Sequence, residues 1–173
     1  MAGDILLRKN LTRIPSTFAT GAMSLVNWKS DPYQTQSDRF LQEYGKGVPT
    51  AFYFMCTTEP TALDRGYDLE KSPNKDLLEL VKRSGAEIGW HPSSRASNDP
   101  VVFNREITSL KKIAKSPIRG GRHHYLLWNP IGSWDQWEKV GLEYDSTMGW
   151  NDTAGFRCST SYPFRCYSLK EDR

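Results

Sequence analysis

The chain has 173 residues, 38% apolar and 25% charged, with a net charge of +3. That balance suits one globular domain and argues against a disordered chain. No run approaches the roughly 18 to 20 apolar residues of a membrane helix. The basic residues are too scattered for nucleic acid, with Lys111-Lys112 and Arg119 to Arg122 the only clusters.

Residues 1–31 carry the weakest pattern. Ile5 to Arg8 opens as a helix, but Pro15, Gly21 and Pro32 interrupt it. Asp31 then reads as a cap and Pro32 as the first helical residue. That helix runs to about Tyr44 and stops at Gly45 and Gly47. Pro49 to Cys56 is a short aromatic-rich apolar run, the pattern of a buried strand. A polar loop covers 57–72. Pro73 to Arg83 is an amphipathic helix with Leu77, Leu78, Leu80 and Val81 on one side, ended by Gly85. Ala86 to Trp90 is the next buried strand.

The unit then repeats. Pro100 to Lys115 is a helix with Val101, Val102, Ile107, Leu110, Ile113 and Ala114 apolar, stopped by Pro117. Ile118 to Trp128 contains a strand ending near His124 or Tyr125. Ser133 caps a helix to Val140, which Gly141 ends. Leu142 to Asp145 and Gly155 to Ser159 are the last expected strands. Alternation at about 25 to 35 residues per unit is the rhythm of a parallel βα fold, either an open doubly wound sheet or a barrel. Neither Gly-x-Gly-x-x-Gly nor Gly-x4-Gly-Lys-Ser/Thr is present, so nucleotide-binding versions lose weight.

In such folds chemistry gathers at the carboxyl ends of strands. All three histidines stand at two of these ends: His91 after Trp90, and His123-His124 after Gly121-Arg122. Adjacent strand residues point to opposite faces, so His123 and His124 do not both face one site, and His91 with His124 is the favoured pair. Two imidazoles fall short of the usual three protein ligands of a catalytic metal, and Asp145 is a candidate third. Without metal, one histidine serves as a general acid. Arg122 and Asp145 are candidates for a charge pair that aligns a base. Trp90, Tyr125 and Trp150 are candidate stacking surfaces for a sugar. Cys56, Cys158 and Cys166 form no Cys-x-x-Cys motif and read as one core residue and two free thiols. The first residues, Met-Ala-Gly-Asp-Ile-Leu-Leu-Arg, lack a signal-peptide pattern, which favours a cytoplasmic location.

From Asp31 to Arg173 these words resemble the polysaccharide deacetylase family, and most of all its polysaccharide-deacetylase-like branch. They are Asp31-Pro-Tyr, Thr50-Ala-Phe-Tyr-Phe-Met, Glu87-Ile-Gly-Trp-His91-Pro-Ser, Gly121-Arg-His-His-Tyr-Leu126, Gly141-Leu-Glu-Tyr-Asp-Ser-Thr147 and Gly155-Phe-Arg157. The resemblance implies an α/β chain forming a single, incomplete, distorted (β/α) barrel over 1–173. It implies removal of an acetyl group from a glycan with a divalent metal, usually zinc. By the same resemblance His91 matches the first histidine of the family's His-x-x-x-His metal motif, and Arg122 matches its arginine. Asp145-Ser-Thr is similar to its Tyr-Asp-Ser-Ser segment.

Departures from the family are equally specific. Arg95 stands where the second motif histidine is expected, and His124 is the candidate substitute. No Thr-Phe-Asp-Asp strand precedes Asp31, and Asp4 lies in no comparable strand. No Leu-x-His motif follows. The chain therefore reads as a piece of a longer deacetylase, with a non-catalytic glycan-binding relative as the alternative. A glycoside hydrolase using Asp145 and Asp152 is the third reading.

Overall fold

A computed structural model describes residues 32–43, 47–57, 59–64 and 66–172. The expected helix at Ile5 to Arg8, the Asp31 cap, the stop at Gly45 and Asp4 lie outside the described residues. Four helices alternate with four strands in the described chain. They are α1 (Pro32–Glu43), β1 (Ala51–Phe54), α2 (Asn74–Ser84), β2 (Glu87–Trp90), α3 (Pro100–Ala114), β3 (Gly120–Gly121), α4 (Ser133–Lys139) and β4 (Tyr144–Asp145).

The helix ends follow local chemistry. Asp99 takes the backbone N–H groups of Val101 and Val102, and Pro100 occupies the first turn of α3. Asp76 stands in the first turn of α2, and Lys82 and Arg83 in its last, each favourable to the helix dipole. Gly85 closes α2 with φ +77°, a left-handed conformation that suits a residue without Cβ. Ser133 is the first residue of α4 rather than its cap. Gly132 precedes it, and the Ser133 hydroxyl accepts the Asn129 N–H at 2.8 Å.

The sheet is parallel throughout, with strand order β1-β2-β3-β4. That order lacks the reversal that marks a doubly wound sheet. Phe54 pairs with Trp90, Trp90 with Gly121, and Gly121 with Asp145. Phe54, Ile88 and Trp90 join one buried cluster with residues of all four helices. These are Leu41 of α1, Leu78 and Val81 of α2, Phe103, Ile107 and Leu110 of α3, and Trp137 of α4. By strand alternation Tyr53, Glu87, Gly89, Gly120 and Tyr144 share the opposite face. There the Tyr144 hydroxyl donates to Glu87 at 2.7 Å, and the Tyr53 ring covers Gly89.

Two expected strands differ. The run 118–128 pairs only at Gly120–Gly121, and residues His124–Leu126 form a 3-10 turn. Gly155 to Ser159 is a sequence of bends and turns, and all but Cys158 are exposed. With no face buried, that segment has nothing to pair against.

Candidate functional site

The ends of β2 and β3 meet because β3 begins with two glycines. A Cβ on Gly121 would stand 1.8 Å from the Trp90 carbonyl oxygen, so only glycine permits this approach. The Arg122 N–H then bonds to the Trp90 carbonyl at 2.9 Å, and the His124 N–H to the Pro92 carbonyl at 3.1 Å. His91 is held on its other side, its N–H donating to Phe54 at 2.9 Å.

The result is a pair of imidazoles, His91 and His124, with ring centres 5.0 Å apart. His91 Nδ1 lies 2.5 Å from the Arg122 carbonyl oxygen. A carbonyl only accepts, so Nδ1 carries the proton and Nε2 a lone pair. His124 Nδ1 lies 2.7 Å from Asp64 Oδ1. Burial opposes ionisation of Asp64. Hydrogen bonds from the Ser94 N–H, the Ser94 hydroxyl, His124 and Thr61 outweigh it and bring the pKa to about 2. The ionised carboxylate is acceptor-only, so His124 Nδ1 carries a proton, as His91 Nδ1 does. Among the described residues neither Nε2 has a hydrogen-bond partner. Burial, then the neighbouring charges of His124 and Arg122, push the His91 pKa down despite its bond to the Arg122 carbonyl.

His123 belongs to the core. It is 1% exposed, accepts the Trp137 indole N–H at Nε2 (2.7 Å) and meets the Ser97 hydroxyl at Nδ1 (2.9 Å). Burial, helped by the charge of His91, pushes its pKa down to about 4. The two neighbouring histidines do part company. They do so beyond the end of β3, at the 3-10 turn, rather than by strand alternation.

Asp145 is engaged by its own surroundings. Oδ1 accepts from the Thr147 N–H at 2.8 Å and from the Thr147 hydroxyl, and Oδ2 accepts from the Trp134 indole at 3.1 Å. Its pKa is raised by burial, against these bonds and the charge of Arg122. No direct ion pair joins Arg122 to Asp145 among the described residues. The Arg122 guanidinium lies against Gly149. No group of three His, Cys, Asp or Glu side chains converges among the described residues. The two imidazoles therefore stand without a third such side chain beside them among the described residues.

The aromatic candidates divide. Trp90 is fully buried, packed on Phe103 with ring centres 4.6 Å apart, and offers no face to a sugar. Tyr125 is 54% exposed, and its ring centre lies 4.2 Å from that of His124. Its φ of +55° is rare for a residue with a side chain, and Leu126 follows at +54°. Trp150 is 49% exposed, with the Arg157 guanidinium 5.5 Å from its ring centre. Arg95 is ion-paired with Glu59, which also binds Arg105 at 2.8 Å. Asp152 is exposed and bonded to the Thr153 hydroxyl. Cys56 is buried, and Cys158 and Cys166 are free thiols.

Sequence reasoning missed Asp64. In the polar loop 57–72 it looks no different from Asp68, and its partner stands 60 positions away. It also missed Glu106, which is 1% exposed and binds Ser93. Glu106 did leave a signal: it sits four residues after Val102 and four before Leu110, on the apolar stripe of α3.

Compared with family models, curated proteins and solved structures, the chain gives no match. No helix among the described residues is long and apolar enough to cross a membrane.

Proposed function

We propose that this chain contributes the histidine site of a metal-dependent hydrolase that removes acetyl groups from a carbohydrate, on a deacetylase-type (β/α) barrel. The observation that carries the reading is the His91–His124 pair. Two imidazoles stand at the carboxyl ends of adjacent parallel strands, each with Nδ1 anchored and Nε2 without a partner among the described residues. Metal-ligating histidines are characteristically anchored in this way, by a carbonyl or a carboxylate behind the ring. The sheet order and the gathering of all four helices into one core support barrel closure, with Tyr53, Glu87 and Tyr144 facing its interior.

A divalent metal, zinc in the first instance, would be held by Nε2 of His91 and His124 and would polarise the acetyl carbonyl and acidify a water. Asp64 accepts a hydrogen bond from His124 Nδ1 and so fixes the orientation of that ring. The Arg122 carbonyl does the same for His91, more weakly because it is neutral. The Arg122 charge, felt at His91, suits the oxyanion that forms when an acetyl carbonyl is attacked. Tyr125 presents an exposed ring on which a sugar face stacks.

The test couples elemental analysis to acetate release from acetylated chito-oligosaccharides. About one metal per chain is expected, lost in both His91→Ala and His124→Ala together with acetate release. Acetate release that survives chelator but not His124→Ala would move the chemistry to Asp64–His124 as a metal-free base. Release indifferent to both substitutions would refute the site. A glycan-binding protein without turnover is the second reading, favoured by Arg95, which is committed to Glu59 where the family motif has a histidine. Binding of the same oligosaccharides without acetate release would support it.

A further inference from the structure

We infer that Ser93 and Ser94 are positioning residues for the histidine pair, each gripped through its N–H and its hydroxyl by a different buried carboxylate. The inference rests on reading His91 and His124 as the functional pair. Ser93 donates its N–H to Glu106 Oε2 at 3.1 Å and its hydroxyl to Oε1 at 2.7 Å. Ser94 donates its N–H to Asp64 Oδ1 at 3.0 Å and its hydroxyl to Oδ2. Glu106 comes from α3 and Asp64 from the loop after β1. Asp64 has no accessible surface and Glu106 has 1%.

Burying a carboxylate is costly unless hydrogen bonds compensate. A connection from β2 to α3 needs no such grip. What the two carboxylates accomplish is to fix a four-residue segment that begins with His91. Asp64 adds a second effect. Its Oδ1 accepts the Ser94 N–H and also the His124 Nδ1 proton. Ser94 thus aims the carboxylate that sets the His124 ring. His91 and His124 come from different strand ends, and the Ser93–Ser94 segment ties both to one frame.

The test uses the full chain with 15N-labelled histidine, free of metal, at about pH 8, above the ordinary imidazole range. Long-range 1H–15N spectra report the tautomer of each of the three rings. Wild-type His124 is expected as a single Nδ1–H form. In Ser94→Ala that signature is lost to averaging between tautomers, while His123 stays unchanged and reports an intact core. Ser94→Thr, which keeps the hydroxyl, restores it. Should Ser94→Ala not fold, Ser94→Cys, a weaker donor, is read in the same way. A pure Nδ1–H His124 in the alanine or cysteine variant overturns the inference, and so does a threonine variant that behaves like alanine. Because no turnover is measured, failure of the hydrolase reading shows separately, as wild-type protein that keeps its tautomers and releases no acetate.

Discussion

Gly121→Ala tests the contact on which the site depends. The new Cβ would lie 1.8 Å from the Trp90 carbonyl oxygen and 2.7 Å from its carbonyl carbon. Both atoms are backbone, so no side chain can swing away. To reach ordinary contact β2 and β3 must part by about 1.5 Å, a large displacement in a packed interior. That opens the 2.9 Å bond from the Arg122 N–H to the Trp90 carbonyl. Overpacking costs about 1–3 kcal/mol and each lost hydrogen bond about 0.5–1.5 kcal/mol, so about 3 kcal/mol is expected in all. For a chain of this size that lowers Tm by about 6–12 °C. Gly132→Ala is the control. A Cβ there meets nothing within 4 Å, so the expected change is only the poorer helix cap that alanine makes, about 0.5–1 kcal/mol. Thermal and urea unfolding followed by circular dichroism measure both. If Gly121→Ala unfolds like the control, β2 and β3 do not adjoin in this register, and the approach of His91 to His124 goes with it.

Two further predictions concern pH. Asp64 ionises at about 2 in the folded chain against an ordinary 3.8. A depressed carboxylate stabilises above its unfolded pKa, and the benefit drains away as pH falls from about 4 towards 2. Asp64 lies beneath the exposed residues 61–63, so solvent screening reduces the full conversion to about 1–2 kcal/mol. Asp64→Asn is therefore less stable than wild type at pH 6 in urea titrations, with a gap that narrows at pH 3; an unchanged gap would count against the argument. His123 works in a higher window. Its folded pKa of about 4 lies below the ordinary 6.5, so the unfolded chain takes up a proton that the folded chain refuses. Stability falls as pH drops from about 6.5 to 4, by up to about 3 kcal/mol. His123→Gln removes that slope, and a variant with the wild-type slope would show that His123 is not buried neutral.

The regular elements were legible because their signals are local. Leu77, Leu78, Leu80 and Val81 mark one side of α2; Leu78 and Val81 are buried, and Leu77 and Leu80 pack against them. Gly85 and Pro100 fix two helix ends whatever the tertiary structure. β3 was overestimated because apolar and aromatic residues continue beyond Gly121, while the backbone there passes into the His124–Leu126 turn and not every N–H pairs with β2. The His123 N–H, for example, bonds to the Thr147 hydroxyl at 2.9 Å. The His91–His124 pair was visible because only three histidines exist and two strand ends hold them all. Trp90 misled because a tryptophan before histidine and proline resembles a sugar platform. Its burial is decided by Phe103 and Trp137, on helices that follow later in the chain. Asp64 was invisible for the same reason: choosing among the acids of its loop requires Ser94 and His124 in place.

Core and site are one construction. Strand alternation sends the Trp90 side chain into the helices and leaves its carbonyl to receive Arg122. The packing that buries Trp90 therefore also sets the height of Arg122, whose own carbonyl orients His91. On the other side α3 supplies both apolar contacts to Trp90, through Phe103, and a carboxylate to Ser93, through Glu106. A core built for stability alone would fill position 106 with an aliphatic residue, as at Val102 and Leu110 one turn away in either direction. Glutamate there gives up apolar burial and returns a fixed loop. That exchange accords with the proposed role of the loop, which has His91 at its head.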